Sequence, residues 1–437
     1  MSASRNRSWL PRFIFIALLA GLVAGATTQM VSPGGPSNPN LQWFNTNIST
    51  PIGDIFLAMI FMVVVPLLFS ALVNGVAEIG EAASVGRTGF RALLLTVVLS
   101  GIAVGIGLAG VNLVKPGERL SQSDREVLIA GINEEEARKK AAIPEVTDEP
   151  PVLGIIPKNP LKEANRALSG GILPFMFFAL IFGLALSQIE PERAQPVKSF
   201  IEGLFLVSQR MIEYAMLFAP LGVFFLVFRA ASTLGGSAVA SFATYFVLVI
   251  ACLAIHFFVT YPLVLKLIAK RNPWHFFRQL REVILTAFST SSSNATLPVA
   301  LRVAENEVGL PRRISNFVLT VGATANQNGT ALFEGITILF LAQFAGVHLD
   351  FSQQLTVMGL AVVAGIGTAG VPGGAWPIIG VILTKFGIPV ELIGLVIGID
   401  RVLDMSRTVL NVVGDVTIAA CVSGMEGQPV AIPEMVD

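Results

Sequence analysis

Near its C-terminus the chain reads Asp400-Arg401-Val402-Leu403-Asp404-Met405-Ser406-Arg407-Thr408-Val409-Leu410-Asn411-Val412-Val413-Gly414-Asp415, set in an otherwise apolar run. On a helix at 100° per residue, Asp400, Asp404, Arg407, Thr408, Asn411 and Asp415 project within a sector of about 100°. The polar residues therefore make one stripe. Each ionisable group placed inside a membrane helix costs at least about 2.5 to 3.5 kcal/mol on insertion scales, so a stripe of this kind has to face partners or a cavity. One reading is a structural ion-pair network, with Asp404 and Arg407 one turn apart. The other is a binding site, in which Arg407 offers a planar, permanently charged fork to a carboxylate and Asp404 holds an ammonium. A site with both signs a few ångströms apart suits a zwitterion carrying one extra carboxylate.

The rest of the chain shows that lipid surrounds this stripe. Of 437 residues, 53% are hydrophobic and 13% charged, against about 25% charged in soluble domains, and the mean hydropathy is +0.72. No single core grows large enough to absorb that much apolar surface. Lys+Arg and Asp+Glu both number 29, so no basic field exists to hold nucleic acid. Cys252 and Cys421 lie in apolar runs and His256, His275 and His348 are scattered, which leaves no ligand cluster for a metal and no Cys/His nucleophile pair. Neither a cofactor nor an enzymatic activity is called for.

Apolar stretches long enough to cross about 30 Å of hydrocarbon cover roughly 13–32, 52–73, 92–114, 171–186, 200–228, 240–267, 314–344 and 392–421. The expectation is an all-α integral membrane protein with eight spanning helices. The first run follows Arg5, Arg7 and Arg12 and reads as a retained helix with a cytoplasmic N-terminus. Arg87 and Arg91, then Lys266, Lys270, Arg271, Arg278 and Arg281, then Arg302, Arg312 and Arg313 fall on that same side under an eight-helix count, as the positive-inside bias asks. The C-terminus is then cytoplasmic too. Residues 115–150, with Glu134, Glu135 and Glu136 beside Arg138, Lys139 and Lys140, read as an external solvated loop.

Two segments between full spans, 283–300 and 355–386, are rich in small or polar residues: Ser291, Ser292, Ser293 and Asn294 in one, Gly365, Gly367, Gly370, Pro372, Gly373 and Gly374 in the other. They read as re-entrant hairpins, since irregular backbone at membrane depth is tolerated only inside protein or along a cavity. The seventh span is broken by Asn326-Gln327-Asn328-Gly329-Thr330, with Glu334 one turn on. Unwound carbonyls and amides there can coordinate a cation or hydrogen-bond a substrate, and half-helix N-termini at the hairpin tips favour an anion. All these parts converge on one pocket.

Other patterns carry less. Gly365-Ile366-Gly367-Thr368-Ala369-Gly370 and Gly105-Ile106-Gly107-Leu108-Ala109-Gly110 fit a dinucleotide fingerprint in letters, but neither follows a strand in a βαβ unit. The triple serine lacks the nucleophile elbow and a neighbouring base. His256 reads as a packed core side chain, and Arg210 with Glu213 as an i,i+3 pair on the fifth span.

At this point the chain resembles the dicarboxylate/amino acid:cation symporter family, which includes the glutamate and aspartate transporters. The resemblance runs from about residue 13 to 421. It is carried by Ser291-Ser292-Ser293 with Thr296-Leu297-Pro298, by the Asn326 to Glu334 segment, by Gly367-Thr368-Ala369-Gly370-Val371-Pro372-Gly373 and by Asp404 to Asp415. It implies a homotrimer and an elevator fold. Residues 1–85 would hold scaffold helices 1 and 2, 86–114 transport-domain helix 3, 115–150 the external loop, and 151–232 scaffold helices 4 and 5. Residues 233–437 would hold helix 6, hairpin 1, helix 7, hairpin 2, helix 8 and a cytoplasmic tail, in a prokaryotic inner or plasma membrane. The family pattern places Arg407 on the substrate's side-chain carboxylate, Asp404 with Thr408 on its amino group, and Asn411 with Ser292 or Ser293 on its α-carboxylate. Thr330 and the backbone from Val371 to Gly373 would close the site.

Members specific for plain C4-dicarboxylates lack the aspartate and neutral amino acid members lack the arginine, so the retained pair reads as aspartate or glutamate, with a C4-dicarboxylate as the alternative. The departures concern ions. Sodium-coupled members carry Asn-Met-Asp-Gly-Thr where this chain has Asn326-Gln327-Asn328-Gly329-Thr330, and Thr96, Leu99 and Ser100 stand where a tyrosine, threonine and serine complete the same buried sodium site. A second sodium site, of Gly322, Asn326, Asn411 and Asp415, is retained. Glu334 matches a glutamate linked to proton coupling in the mammalian members. The coupling ion is accordingly expected to be a proton, with sodium at the Asp415 site as the alternative. A channel has no need of two hairpins closing over Arg407 and Asp404, and an enzyme would have to change its ligand chemically.

Overall fold

The computed structural model describes residues 9–32, 38–84, 86–120, 156–166, 172–367, 374–397 and 399–427, and every regular element among them is helical. The principal helices are α1 (Trp9–Val31), α2 (Thr50–Phe61), α3 (Val64–Ser84), α4 (Arg87–Val114), α5 (Ile172–Leu186), α6 (Pro191–Ile255), α7 (Arg281–Thr290), α8 (Ser293–Asn306), α9 (Arg312–Ala325), α10 (Asn328–Ala345), α11 (Phe351–Gly367), α12 (Trp376–Lys385) and α13 (Asp400–Met425). Six of the helical stretches are long and apolar enough to cross a membrane by themselves; α5 and α11 are shorter apolar helices. The seventh span is broken where the sequence reading breaks it, into two half-helices, α9 and α10, so its length is built from two pieces.

Two kinds of helix follow from the sequence. Peripheral α1 turns Phe13, Phe15, Ile16, Leu19 and Val23 outward, and α4 does the same with Val97, Val98 and Ile102. Large apolar side chains stay outside because the surrounding solvent is hydrocarbon, which gives them no reason to hide. By contrast every residue of α10 except Gln343 is buried, and α13 is buried along most of its length. These two carry the polar residues, and they need protein around them.

Contacts fix the direction of each helix. A Cβ on Gly21 would meet the carbonyl of Phe224 at 2.6 Å and one on Gly25 that of Phe228 at 2.6 Å, so α1 and this part of α6 run parallel in close backbone contact. Ser100 meets Asn328 and Gly117 meets Gln343, which makes α4 and α10 parallel. Tyr261 meets Leu410 and Cys421 meets Val264, so the helix after α6 runs parallel to α13. Gly322 lies against Asp415 and Gly329 against Arg407, so the broken span and α13 are antiparallel.

The 200–228 and 240–267 stretches are two separate spans by length and composition, as the sequence leads one to expect, although α6 carries helical backbone from one into the other. The first half packs Leu226 on Gly394, and Met216, Ala219 and Val223 face Asp400 and Asp404 across one cavity. That order is antiparallel to α13, whereas the second half leads into the segment parallel to it. The run therefore bends back between residues 233 and 240 instead of extending straight for about 97 Å.

Both re-entrant segments are helical hairpins. In the first, α7 and α8 are joined at Ser291, whose φ of 51° is left-handed, and Ser292 caps α8 by accepting from the Ala295 N–H at 3.2 Å. Helices of 10 and 14 residues reach about 15 and 21 Å, half a membrane. The second pairs α11 with α12; its tip, including Val371 and Gly373, lies outside the described residues, as does most of the 115–150 loop. The start of that loop is not solvated: Pro116 and Gly117 are buried in a 3-10 turn, where the Pro116 carbonyl accepts from Ser241.

Candidate functional site

The site is built where two interruptions of regular helix meet the polar face of α13. After α6 the ladder widens into π-turns at His256–Thr260 and Leu265–Ala269. Pro262 lacks the N–H needed to continue an α-helical ladder, and the wider turn sends Tyr261 inward, where its hydroxyl donates to the Leu410 carbonyl at 2.9 Å. His256 is packed edge-on against that ring, 4.8 Å between centroids.

The second interruption separates α9 from α10. Asn326 (φ −112°, ψ 82°) and Gln327 (φ −109°, ψ 55°) leave the helical region, which frees the first amides of α10. Asn411 caps them from α13: its Oδ1 accepts from Gly329 N–H at 2.7 Å, and its Nδ2 donates to Gln327 Oε1 at 2.5 Å and to Thr330 Oγ1 at 3.1 Å. Only glycine fits at 329, since a Cβ there would meet the Arg407 carbonyl oxygen at 2.6 Å.

On α13 itself, Arg407 is 2% exposed. Its Nε and Nη2 lie 3.0 and 2.8 Å from Asp404 Oδ1, its Nη1 donates to Asp400 Oδ1 at 2.8 Å, and its Cζ sits 4.3 Å above the Phe333 ring. A guanidinium has five N–H donors. These contacts engage three and leave one N–H on each terminal nitrogen, enough for a bidentate carboxylate. Asp404 Oδ2 faces Arg401 at 3.7 Å. Thr408 donates its hydroxyl to the Asp404 carbonyl at 2.8 Å, so its lone pairs remain to accept from an ammonium. The ion-pair network and the binding face that the sequence offers as alternatives are thus the same side chains.

The structure brings Arg407, Asp404, Thr408, Asn411, Thr330 and Ser293 together. Ser293 accepts from Gln327 Nε2 at 3.5 Å, and Ser292 is at the tip of the first hairpin. Glu334 is fully buried, one residue after Phe333, on the helix whose start lies against Arg407. Three residues with no role in the sequence reading also belong here: Phe333 under the guanidinium, Asp400 beside it, and Trp376, whose Nε1 donates to Asp400 Oδ2 at 2.7 Å. Asp400 was on the stripe; the aromatic pair has no signature in sequence, because its meaning depends on which helices meet.

Below this layer are the two ion-related clusters. Asn326 Nδ2 donates to Asp415 Oδ1 at 2.6 Å, while Asn326 Oδ1 is buried with no hydrogen-bond partner. A Cβ at Gly322 would meet Asp415 Oδ1 at 2.4 Å. An orphaned oxygen beside a buried carboxylate, in a cradle open only because residue 322 is glycine, fits a monovalent cation. The neighbouring cluster does not. Ser100 donates to Asn328 Oδ1 at 2.5 Å, Asn328 Nδ2 donates to the Tyr261 hydroxyl at 3.3 Å, and that hydroxyl donates to Leu410. Donors and acceptors are matched without a charge, and Leu99 adds none.

Residues 10–425 match the model of the sodium:dicarboxylate symporter family. This chain belongs to that family. The family member is 31% identical over 420 residues, 95% of this chain and 94% of the relative, to a proton/sodium-glutamate symport protein of Geobacillus stearothermophilus. It is 30% identical to the proton/glutamate-aspartate symporter of Escherichia coli, over 92% of this chain and 89% of the relative. It is also 30% identical to excitatory amino acid transporter 3 of Oryctolagus cuniculus, over 94% and 84%. The family and these relatives are transporters, not enzymes, and the apolar helices fit a membrane protein.

Proposed function

We propose that this symporter-family member carries acidic amino acids, aspartate or glutamate, across a prokaryotic inner or plasma membrane as a secondary active transporter. The observation that carries the reading is the buried α13 face, where Arg407 keeps two N–H groups for a side-chain carboxylate and Asp404 with Thr408 supplies acceptors for an ammonium. Ser292, Ser293, Asn411 and Thr330 would meet the α-carboxylate, and the segment of Val371 and Gly373 would close over it. Because Asn411 is already engaged on Gln327 and Thr330, substrate would exchange hydrogen bonds with this network rather than fill an unpaired one.

The alternating directions of α1, α4, α10, α13 and both parts of α6 support eight crossings plus two hairpins, which would put both termini on one side, and the positive-inside bias makes that side the cytoplasm. In this reading α4, the 240–269 helix, both hairpins, α9, α10 and α13 move as a transport domain, and residues 1–85 with 151–232 form the scaffold of a homotrimer. Coupling is assigned to a proton on Glu334, since a protonated carboxylic acid is neutral and crosses at little electrostatic cost. The neutral Ser100, Asn328 and Tyr261 cluster removes one need for sodium. A sodium-coupled alternative is favoured by one observation, the fit of Asp415, Asn326 and Gly322 to a cation. Uptake of labelled aspartate and glutamate into proteoliposomes under separately imposed proton and sodium gradients tests both; no uptake under either gradient would overturn the transport assignment.

A further inference from the structure

Among the described residues of the second hairpin, one side chain contacts the groups that hold the guanidinium and has no part in the proposed function. Trp376 opens α12 immediately after the hairpin tip and is 1% exposed. Its indole N–H goes to Asp400 Oδ2 at 2.7 Å, while the other oxygen of the same carboxylate takes Arg407 Nη1 at 2.8 Å. The ring stands edge-on to Phe333, 5.5 Å between centroids at 86°, and Phe333 is the ring on which Arg407 lies. Trp376 thus reaches the guanidinium by two routes, one through a carboxylate and one through an aromatic face.

We propose that Trp376 is a positioning residue that sets the affinity of Arg407 for an acidic side chain by holding Asp400 away from the donors that substrate needs. The inference rests on reading Arg407 as the carboxylate seat. Asp400 is itself a carboxylate, fixed one hydrogen bond from Arg407, so its effective concentration there exceeds that of any free ligand. With the indole in place, each Asp400 oxygen has one donor and the two remaining Arg407 N–H groups stay available. Without it, Oδ2 is a buried, charged acceptor with no partner. Such a group takes up a neighbouring donor; those about it are the two N–H groups of Arg407, already bonded to the other oxygen of the same carboxylate, and the unpartnered Arg401 Nε on the same cavity. Asp400 then competes internally with the substrate. The size and rigidity of tryptophan suit the task, since the ring packed on Phe333 cannot follow Asp400 inward.

Equilibrium binding of labelled aspartate to the full chain purified in detergent tests this. Trp376→Phe keeps an aromatic edge on Phe333 but removes the N–H, and replacement of Trp376 by benzothienylalanine removes the N–H while keeping the ring shape. Both are expected to weaken aspartate about tenfold or more, in line with losing a hydrogen bond to a charged group. Trp376→Phe combined with Asp400→Asn removes the competitor's charge and is expected to recover most of that loss. Unchanged affinity in both Trp376 variants overturns the inference, as does an equal loss in the double variant, which would mark a packing role. Absence of aspartate binding in the unmodified chain overturns the reading of Arg407 and this inference together, so the two failures are told apart.

Discussion

Arg407 is held from three sides, by Asp404, by Asp400 and by the face of Phe333, and with Arg401 facing Asp404 the two aspartates and two arginines balance before any substrate arrives. That makes its function a matter of geometry as much as of attraction: a bidentate fork presented at a fixed depth. Removing a buried charge partner leaves the other charge uncompensated, at a cost of about 3 to 5 kcal/mol. Arg407→Cys is accordingly expected to abolish measurable binding of aspartate and glutamate and to admit small neutral amino acids; undiminished aspartate affinity would count against the assignment. In the proposed site Asp404 would separate substrates differently. Asp404→Asn should weaken aspartate while sparing or improving succinate, which has no amine, in paired competition assays. Equal weakening of the two would mean that Asp404 serves only to brace Arg407.

At the scale of elements, the break between α9 and α10 is held open by contacts that only one arrangement of side chains satisfies. Gly329 brings the start of α10 against the α13 backbone, with a would-be Cβ 2.6 Å from the Arg407 oxygen and 3.0 Å from its Cα. Backbone atoms cannot step aside as a side-chain end can, so Gly329→Ala is expected to lower stability by about 1 to 3 kcal/mol, the usual cost of overpacking. Thermal unfolding would read it, together with weaker aspartate binding. Asn328 offers a second handle. Its amide is satisfied by Ser100 and Tyr261; an aspartate there would keep the Ser100 bond but bury a negative charge needing a counter-ion. Asn328→Asp should make the melting temperature rise with added sodium at constant ionic strength. A melting temperature indifferent to sodium would show that something other than the missing charge closes this cluster to cations.

For the whole molecule the question is how binding is linked to movement. An ion drives transport only if it binds loaded and empty states differently. Glu334 lies fully buried on α10, next in sequence to the ring that carries Arg407. Its ionisation would add a negative charge near the site that must accept an anionic substrate, whereas protonation would not. Uptake is expected to follow an inward proton gradient without sodium. Glu334→Gln should retain exchange of labelled for unlabelled aspartate yet lose proton-driven accumulation. Accumulation that survives in that variant, or a strict sodium requirement for binding, would move the coupling role to the Asp415 site.

From the linear chain alone, the helical class, the membrane setting, both hairpins, the break at Asn326 and the polar face of α13 are determined. Each rests on periodicity, or on polar residues where lipid tolerates none, and both are local properties of sequence. The buried turn at Pro116 and Gly117 was not legible, because the Ser241 that satisfies it comes from a distant helix. Nor was the state of Arg407. Spacing puts Asp400 and Asp404 on its face, but which donors they take depends on Phe333 and Trp376, which arrive from other helices. The same holds for the amides at 327 and 328: they announce a missing charge, while the partners that satisfy them, Ser100, Tyr261 and Asn411, come from three other segments. Hydrogen-bond satisfaction inside a membrane is a property of the packed assembly, since no water is at hand to complete what a single helix leaves open.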